Sequence, residues 1–478
     1  MAQAVNRYLG IDIGTTSLKA AVFDKNGNRL GLRRVDYELD TDASTGYIEF
    51  DANEYIRMCK DVVSSLTTEC GQITALSVDT QGETLILTDE NGNPLCPAIV
   101  WLDNRATKEA DAIEKEFGHK KVYDITGQPE ITATWPASKL LWVKNNKPEI
   151  FSKVKKIFML EDWVLYSLTG EFVTEPTIQS SSVYFDINTR DWWGEMLEFI
   201  GISKTALPKI CKTAEIVGEY NGIKVVSGAL DQIAGTIGVG VTDETRVSEM
   251  TGTIMAVCVA TDKIPPYNPN SIVPCHLHAI DGKYCLILWS ATAGMALKWF
   301  KEQFANELSF KEIDMQAKDI APGCDGMTML PYFCGSTIPN YNPDATASFC
   351  GVTLSHTRAQ FARAIMEAVA FMLRGTLDYA TADDDCELRI TGGGASSPLW
   401  AQIKANVVNR NLNTVKESET ACLGTAIIAM VGAGEYASFK EATDATVCVD
   451  KTYSPNGDNY DAAYKKFCEL DNKLNIKE

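Results

Sequence analysis

The chain has 478 residues, with 44 Lys and Arg against 63 Asp and Glu, a net charge of −19. That length allows two to four domains with sizeable cores, and 45% apolar with 22% charged residues excludes a disordered or fibrous chain. The acidic balance disfavours non-specific nucleic-acid and anionic-membrane binding, and it disfavours any small polyanion unless a site supplies backbone N–H groups and a cation.

The N-terminus, Met1 to Arg7, lacks a charged-then-apolar leader. Apolar runs such as Ala98–Leu102 are too short to cross a bilayer. The chain therefore reads as cytoplasmic. Its fourteen cysteines include no C-x-x-C pair and read as reduced thiols. Cys275-His276-Leu277-His278 lacks further ligands at metal spacing and reads as part of a strand or loop near the cleft.

In chain order, residues 8–13 form a strand, Gly14-Thr15-Thr16-Ser17 a turn, and residues 18–24 a second strand. Asn26-Gly27 turns the chain into a third strand over 29–37. Apolar spacing predicts a helix over 53–70. Strands follow at 73–79 and 84–89, then helices at 104–117 and 136–146. Far downstream the pattern returns: a strand over 245–250, the turn Thr251-Gly252-Thr253 and a strand over 254–260. Helices are expected at 291–306, 356–380, 398–408 and 421–432, with a strand at 388–390. The reading is α/β with mixed sheets in two domains, 1–243 and 244–478.

Four segments carry chemistry. In Asp12-Ile13-Gly14-Thr15-Thr16 the glycine lets backbone approach a ligand. Successive N–H groups and Thr hydroxyls there can cradle an anion, and Asp12 can hold Mg²⁺ directly or through water. An ordinary Thr-rich hairpin is the plainer alternative. Thr251-Gly252-Thr253 offers the same physics a second time. Asp231, in Gly228-Ala229-Leu230-Asp231-Gln232, stands at a strand-to-helix junction, where a carboxylate can orient an acceptor hydroxyl and take its proton, or simply cap a helix. Gly392-Gly393-Gly394-Ala395-Ser396-Ser397 opens a helix and can take ribose or phosphate groups. It lacks G-x-G-x-x-G spacing, and the chain has no P-loop.

Together these segments resemble the FGGY carbohydrate kinases, the family of glycerol kinase, xylulokinase and gluconokinase, from about Tyr8 to Tyr436. The resemblance rests on Gly10-Ile11-Asp12-Ile13-Gly14-Thr15-Thr16-Ser17 and Ile99-Val100-Trp101-Leu102-Asp103-Asn104-Arg105. It extends through Leu330-Pro331-Tyr332, Gly351-Val352, Gln360-Phe361, Ala364-Ile365-Met366-Glu367 and Gly392 to Trp400. It implies two ribonuclease-H-like (actin-like ATPase) domains with a catalytic cleft between them, and ATP mostly on the C-terminal one. It implies Asp231 as general base and Asp12 as the residue that positions Mg²⁺, through water. Gly14, Thr15, Thr16, Thr251, Gly252 and Thr253 would cradle phosphates. Gly294 and Lys298 would line the nucleotide cleft, and Gly393, Gly394 and Ser397 would flank adenosine.

The match thins at the acceptor. Gln81-Gly82-Glu83-Thr84 resembles glycerol kinase's Q-R-E-T with the Arg replaced by Gly82, and Thr134 stands where glycerol kinase has a Tyr. Both changes point away from glycerol, and loss of the Arg suggests room for a larger substrate. Gln81, Glu83, Trp101, Asp103, Trp135, Asp231 and Gln232 are the candidate sugar contacts, with core packing as the alternative for the two tryptophans. The expected reaction is ATP-dependent phosphorylation of a pentulose or related ketose or polyol. Another polyol or sugar acid (erythritol, glycerol, gluconate), or an actin-like assembly or chaperone protein without kinase activity, is the alternative. The expected partners are the sugar, ATP and ADP; a homodimer fits the family but no residue decides it.

Overall fold

The computed structural model describes residues 6–338, 340–380 and 385–475. In the first half the main elements are β1 (Arg7–Ile13), β2 (Ser17–Asp24), β3 (Arg29–Asp36), α1 (Ala52–Cys70), β4 (Ala75–Thr80), α2 (Thr107–Thr126), α3 (Pro136–Asn146), α4 (Leu160–Thr169), α5 (Pro176–Gln179), β5 (Ile216–Tyr220), β6 (Ile223–Leu230) and α6 (Asp231–Gly238). The second half has β7 (Arg246–Thr251), β8 (Met255–Thr261), β9 (Cys275–Leu277), β10 (Tyr284–Ser290), α7 (Gly294–Phe304), α8 (Phe310–Ala317), α9 (Arg358–Tyr379), β11 (Glu387–Thr391), α10 (Pro398–Val408), β12 (Leu412–Val415), α11 (Thr420–Ala433), β13 (Val449–Tyr453) and α12 (Asp461–Leu474).

Local chemistry sets many of these boundaries. Asp51 caps α1 by accepting from the Asn53 N–H. Pro136 begins α3 and Pro398 begins α10, where a missing N–H is harmless. Thr357 and Gln360 form a capping box on α9. The helix expected over 104–117 runs instead to Thr126, because a second helical segment resumes beyond Gly118, whose φ is 71°. The strand β10 lacked a reading in the sequence: its apolar run has no period that separates strand from helix.

Each half builds one large mixed sheet. The first has the order β5-β6-β4-β1-β2-β3, the second β9-β10-β8-β7-β11-β12-β13. In the first, β1 pairs antiparallel with β2 and parallel with β4, which pairs parallel with β6. In the second, β7 pairs antiparallel with β8 and parallel with β11, which pairs parallel with β12. The ribonuclease-H-like strand order is therefore present twice. No helix among the described residues is long and apolar enough to cross a membrane.

One helix ties the halves together. A core cluster joins Tyr8, Phe23, Ile233 and Ile237 to Ile287, Cys422 and Ile427. Within it α11 meets β1 and α6 backbone to backbone. A Cβ on Gly10 would lie 2.0 Å from the Cys422 carbonyl oxygen, one on Gly238 would lie 1.8 Å from that of Thr420, and one on Gly424 would lie 1.8 Å from that of Ala234. Gly→Ala in a helix normally gains ~1 kcal/mol, but at Gly424 the added methyl must push two helices apart. Gly424→Ala is expected to lower unfolding stability by about 2 kcal/mol or more in a urea titration. An unchanged or higher midpoint would show that the crossing is looser than described.

Candidate active site

The strand ends of the first sheet place a group of carboxylates side by side. Asp12 on β1 is in register with Asp79 on β4, and Lys19 on β2 stands opposite Asp12. Lys19 is drawn to Glu419 at 2.7 Å. Asp79 is fully buried; it accepts the Thr425 hydroxyl of α11 on one oxygen, and its other oxygen has no partner. Burial and the charge of Asp12 push Asp79 well above the usual carboxylate range, and burial raises its neighbour Asp12 as well. Asp79 was not among the expected site residues; the sequence signal was a polar Asp-Thr-Gln run closing an apolar strand.

Asp231 starts α6 directly after β6 and keeps part of its surface open. Its carboxylate accepts the Gln232 N–H at 2.6 Å. Burial first, then the negative charge of Asp12, pushes its pKa up to about 7, with Glu83 adding to the effect. Asp12, Asp79, Glu83 and Asp231 therefore share one electrostatic environment. Gln232 is half-buried beside Asp231, its carbonyl taking the Thr236 hydroxyl.

The loop after β1 is braced from outside. Gly14 donates to the Ser17 carbonyl at 3.1 Å, and the Tyr37 hydroxyl holds the Gly14 carbonyl. The Trp101 indole N–H donates to the Thr15 hydroxyl at 3.0 Å. Thr16 is exposed. In the loop after β7, Gly252 donates to the Ile254 carbonyl at 2.9 Å, and Thr253 is exposed. The two loop glycines thus spend their N–H groups within their own hairpins. The N–H groups of Thr15, Thr16 and Thr253 bond no backbone carbonyl among the described residues.

Thr251, Gly252, Thr253, Gly294, Lys298, Gly393, Gly394 and Ser397 all line one cavity of about 740 Å³. Three distant segments build it. Gly294 and Met295, at the start of α7, donate to the carbonyls of Gly252 and Thr253 at 3.0 and 3.1 Å. The approach is close enough that a Cβ on Gly294 would lie 2.3 Å from the Gly252 oxygen. Lys298 is exposed at the cavity, with its ammonium 3.8 Å from Glu302. Leu297, Phe310, Pro398 and Trp400 add apolar surface.

Several expected contacts are spoken for. The Thr251 hydroxyl is buried and bonded to Glu249, and Lys404 donates to both, at 2.7 Å to Thr251 and 2.8 Å to Glu249. Thr251 thus braces the loop with its side chain rather than offering it to phosphate; Glu249 and Lys404 were missed because 155 residues separate them. Ser397 caps α10 by accepting from Trp400 and donates to Asp314 at 2.7 Å. Asp103 is fully buried; burial alone would raise it, but Arg105 and two backbone N–H groups hold it below its ordinary value. It cannot reach a sugar. Gln81 is 4% exposed, with its amide 3.4 Å from the Tyr55 hydroxyl, behind the first loop. The Trp135 indole N–H goes to the Glu130 carbonyl at 3.1 Å, leaving only an apolar face.

Glu83 is different. It is half-buried at φ 56°, a strained value for a non-glycine residue that often marks a functional site. Burial pushes its carboxyl up while Lys139 and Ser181 pull it down. Beside it, a Cβ on Gly82 would lie 2.9 Å from Ser181 Oγ and 3.0 Å from Leu230 Cδ1. The absent arginine therefore opens no room: Ser181 and Leu230 fill the space, which corrects the expectation drawn from the sequence.

Comparison with known proteins agrees with this geometry. The family model for the FGGY family of carbohydrate kinases, N-terminal domain, matches residues 7–240, and that for the C-terminal domain matches residues 271–433. The chain is 29% identical to a xylulose kinase of Lactococcus lactis over 97% of its length and 95% of the relative's. It is 30% identical to a gluconokinase of Bacillus subtilis, over 91% and 89%. The crystal structure of a ligand-bound xylulose kinase from Lactobacillus acidophilus superposes with a TM-score of 0.91 at 26% identity, covering 98% of both chains. The chain belongs to the FGGY family of carbohydrate kinases, enzymes of the two-domain actin-like ATPase fold.

Proposed function

We propose that this kinase transfers the γ-phosphoryl group of ATP to a hydroxyl of a neutral pentulose, xylulose-like, or a related ketose or polyol, with Asp231 as general base. The observation that carries this is Asp231 itself. It stands at the head of a helix beside the buried carboxylates, with its pKa raised to about 7, matched to taking a proton near neutrality.

In this reading residues 1–243 form the acceptor-side domain and residues 244–478 the nucleotide-side domain. The cavity lined by Gly294, Lys298, Gly393 and Gly394 takes the nucleoside. The N–H and hydroxyl groups of Thr15, Thr16 and Thr253 take the phosphates, with Gly14 and Gly252 shaping the turns that present them. These donors let an acidic protein bind a polyanion. Asp12, with the unpartnered oxygen of Asp79 near it, fits Mg²⁺. Among the described residues no group of three or more His, Cys, Asp or Glu could hold a metal unaided; Mg²⁺ suits such a site because it uses one or two carboxylates with waters and phosphate oxygens. When bound, the ion would neutralise phosphate charge. Asp231 orients the acceptor hydroxyl and takes its proton, and closure of the domains over the cleft excludes water from ATP.

The acceptor side favours a neutral substrate. Lys139 is fully buried, its ammonium donating to the carbonyls of Glu83 at 3.0 Å and Val100 at 2.8 Å. Arg105 is committed to Asp103 and Glu49. The carboxylates of Glu83 and Asp231 would repel a sugar acid, whereas both accept from sugar hydroxyls.

Asp231→Asn is expected to lower kcat by ~10²–10⁴ while ADP affinity in calorimetry stays within a few fold; near wild-type turnover would refute the base. The base works only when deprotonated, and its pKa is raised. Acceptor kcat/KM should therefore fall as pH drops below about 7, with Mg²⁺ moving the limb lower; a flat profile between pH 5 and pH 8 would contradict it. In a panel with ADP readout, D-xylulose, L-xylulose, ribulose and erythritol should outpace gluconate. A clear preference for gluconate would assign the aldonate alternative.

A further inference from the structure

The end of β6 is held partly from outside its sheet. Pairing of β6 with β4 shifts register between Val226 and Ala229. Gly228 sits in that bulge, where a Cβ would lie 1.7 Å from the Val78 carbonyl oxygen. Two N–H groups at and just beyond the bulge are taken by side chains. Gly228 donates to Glu161 Oε1 of α4 at 2.8 Å. Leu230, immediately before Asp231, donates to the Thr177 hydroxyl of α5 at 2.9 Å. That hydroxyl donates in turn to Glu175 Oε1 at 2.6 Å, and Glu175 also takes the Thr213 hydroxyl at 2.6 Å. Glu161, Glu175 and Thr177 are fully buried. A hydroxyl that both accepts and donates fixes its own orientation, so this relay sets the direction of the Leu230 N–H.

We propose that Glu161 and Thr177 are positioning residues for Asp231: they hold the peptide units that deliver its carboxylate to the acceptor hydroxyl. The proposal rests on Asp231 being the general base. It also gives a role to two acids, Glu161 and Glu175, that are buried together. Burial, with Glu175 and Asp162 nearby, pushes Glu161 well above the usual carboxylate range, and what Gly228 needs from it is one acceptor oxygen. Glutamine is then a close substitute and leucine is not.

The test compares Glu161→Leu, Glu161→Gln, Thr177→Val and Thr177→Ser in the full-length enzyme, with Asp231→Asn alongside. Each is checked for folding by near-UV circular dichroism. In folded Glu161→Leu and Thr177→Val, kcat should fall ~10–100-fold, with the KM for ATP and ADP affinity unchanged. Glu161→Gln and Thr177→Ser, which keep the acceptor, should stay within about threefold of wild type. Wild-type kcat in the folded leucine and valine variants, beside an inactive Asp231→Asn, overturns the positioning role and leaves the base intact. If neither of these two variants folds, the role is one of stability alone and the proposal is equally overturned. An active Asp231→Asn refutes instead the reading on which it rests.

Discussion

The backbone-to-backbone seat of α11 is the constraint on which the site depends. This helix comes from the second half of the chain, yet it touches the element behind each central carboxylate. Its Cys422 carbonyl lies against Gly10, two residues before Asp12. Its Thr425 hydroxyl holds Asp79. Its Gly424 presses on α6, whose first residue is Asp231. A shift of one helix would move three acidic groups relative to one another. Packed interiors resist such shifts because added volume has nowhere to go.

In the proposed reading, charge gives the site its selectivity. The protein carries a net charge of −19 and still must hold a triphosphate. The proposed cradle is made of loop N–H groups and hydroxyls, which carry no net charge and need no counter-ion. Its cations near the acceptor are turned inward, to carbonyls at Lys139 and to carboxylates at Arg105. What remains facing the acceptor is acidic and hydroxyl-seeking. The same carboxylates, crowded and buried, raise one another's proton affinity, and burial with the charge of Asp12 pushes Asp231, the proposed base, up to about 7.

Much of this was legible from residues close in sequence. The paired Gly/Thr turns, the Pro-initiated helices at 136 and 398, and the carboxylate at 231 are local signals, and local signals survive folding. The eight nucleotide-side residues read from separate motifs do gather in one cavity. Readings failed where a partner lay far along the chain. Asp103 looked available until Ile48, 55 residues away, closed on it alongside its sequence neighbour Arg105. Thr251 looked like a phosphate donor until Lys404 reached it across 153 residues. Gly82 looked like an opened pocket because the sequence does not show Ser181 and Leu230 standing beside it. The role of Asp79 depends on strand register, which no short motif encodes.

A crystal structure of the enzyme with a non-hydrolysable ATP analogue, Mg²⁺ and D-xylulose tests the central claim most directly. The account predicts one acceptor hydroxyl within ~3 Å of an Asp231 oxygen and in line with the γ-phosphorus. An acceptor bound with its nearest hydroxyl remote from residue 231, or a nucleotide seated outside the cavity beside Gly294 and Gly393, would contradict it.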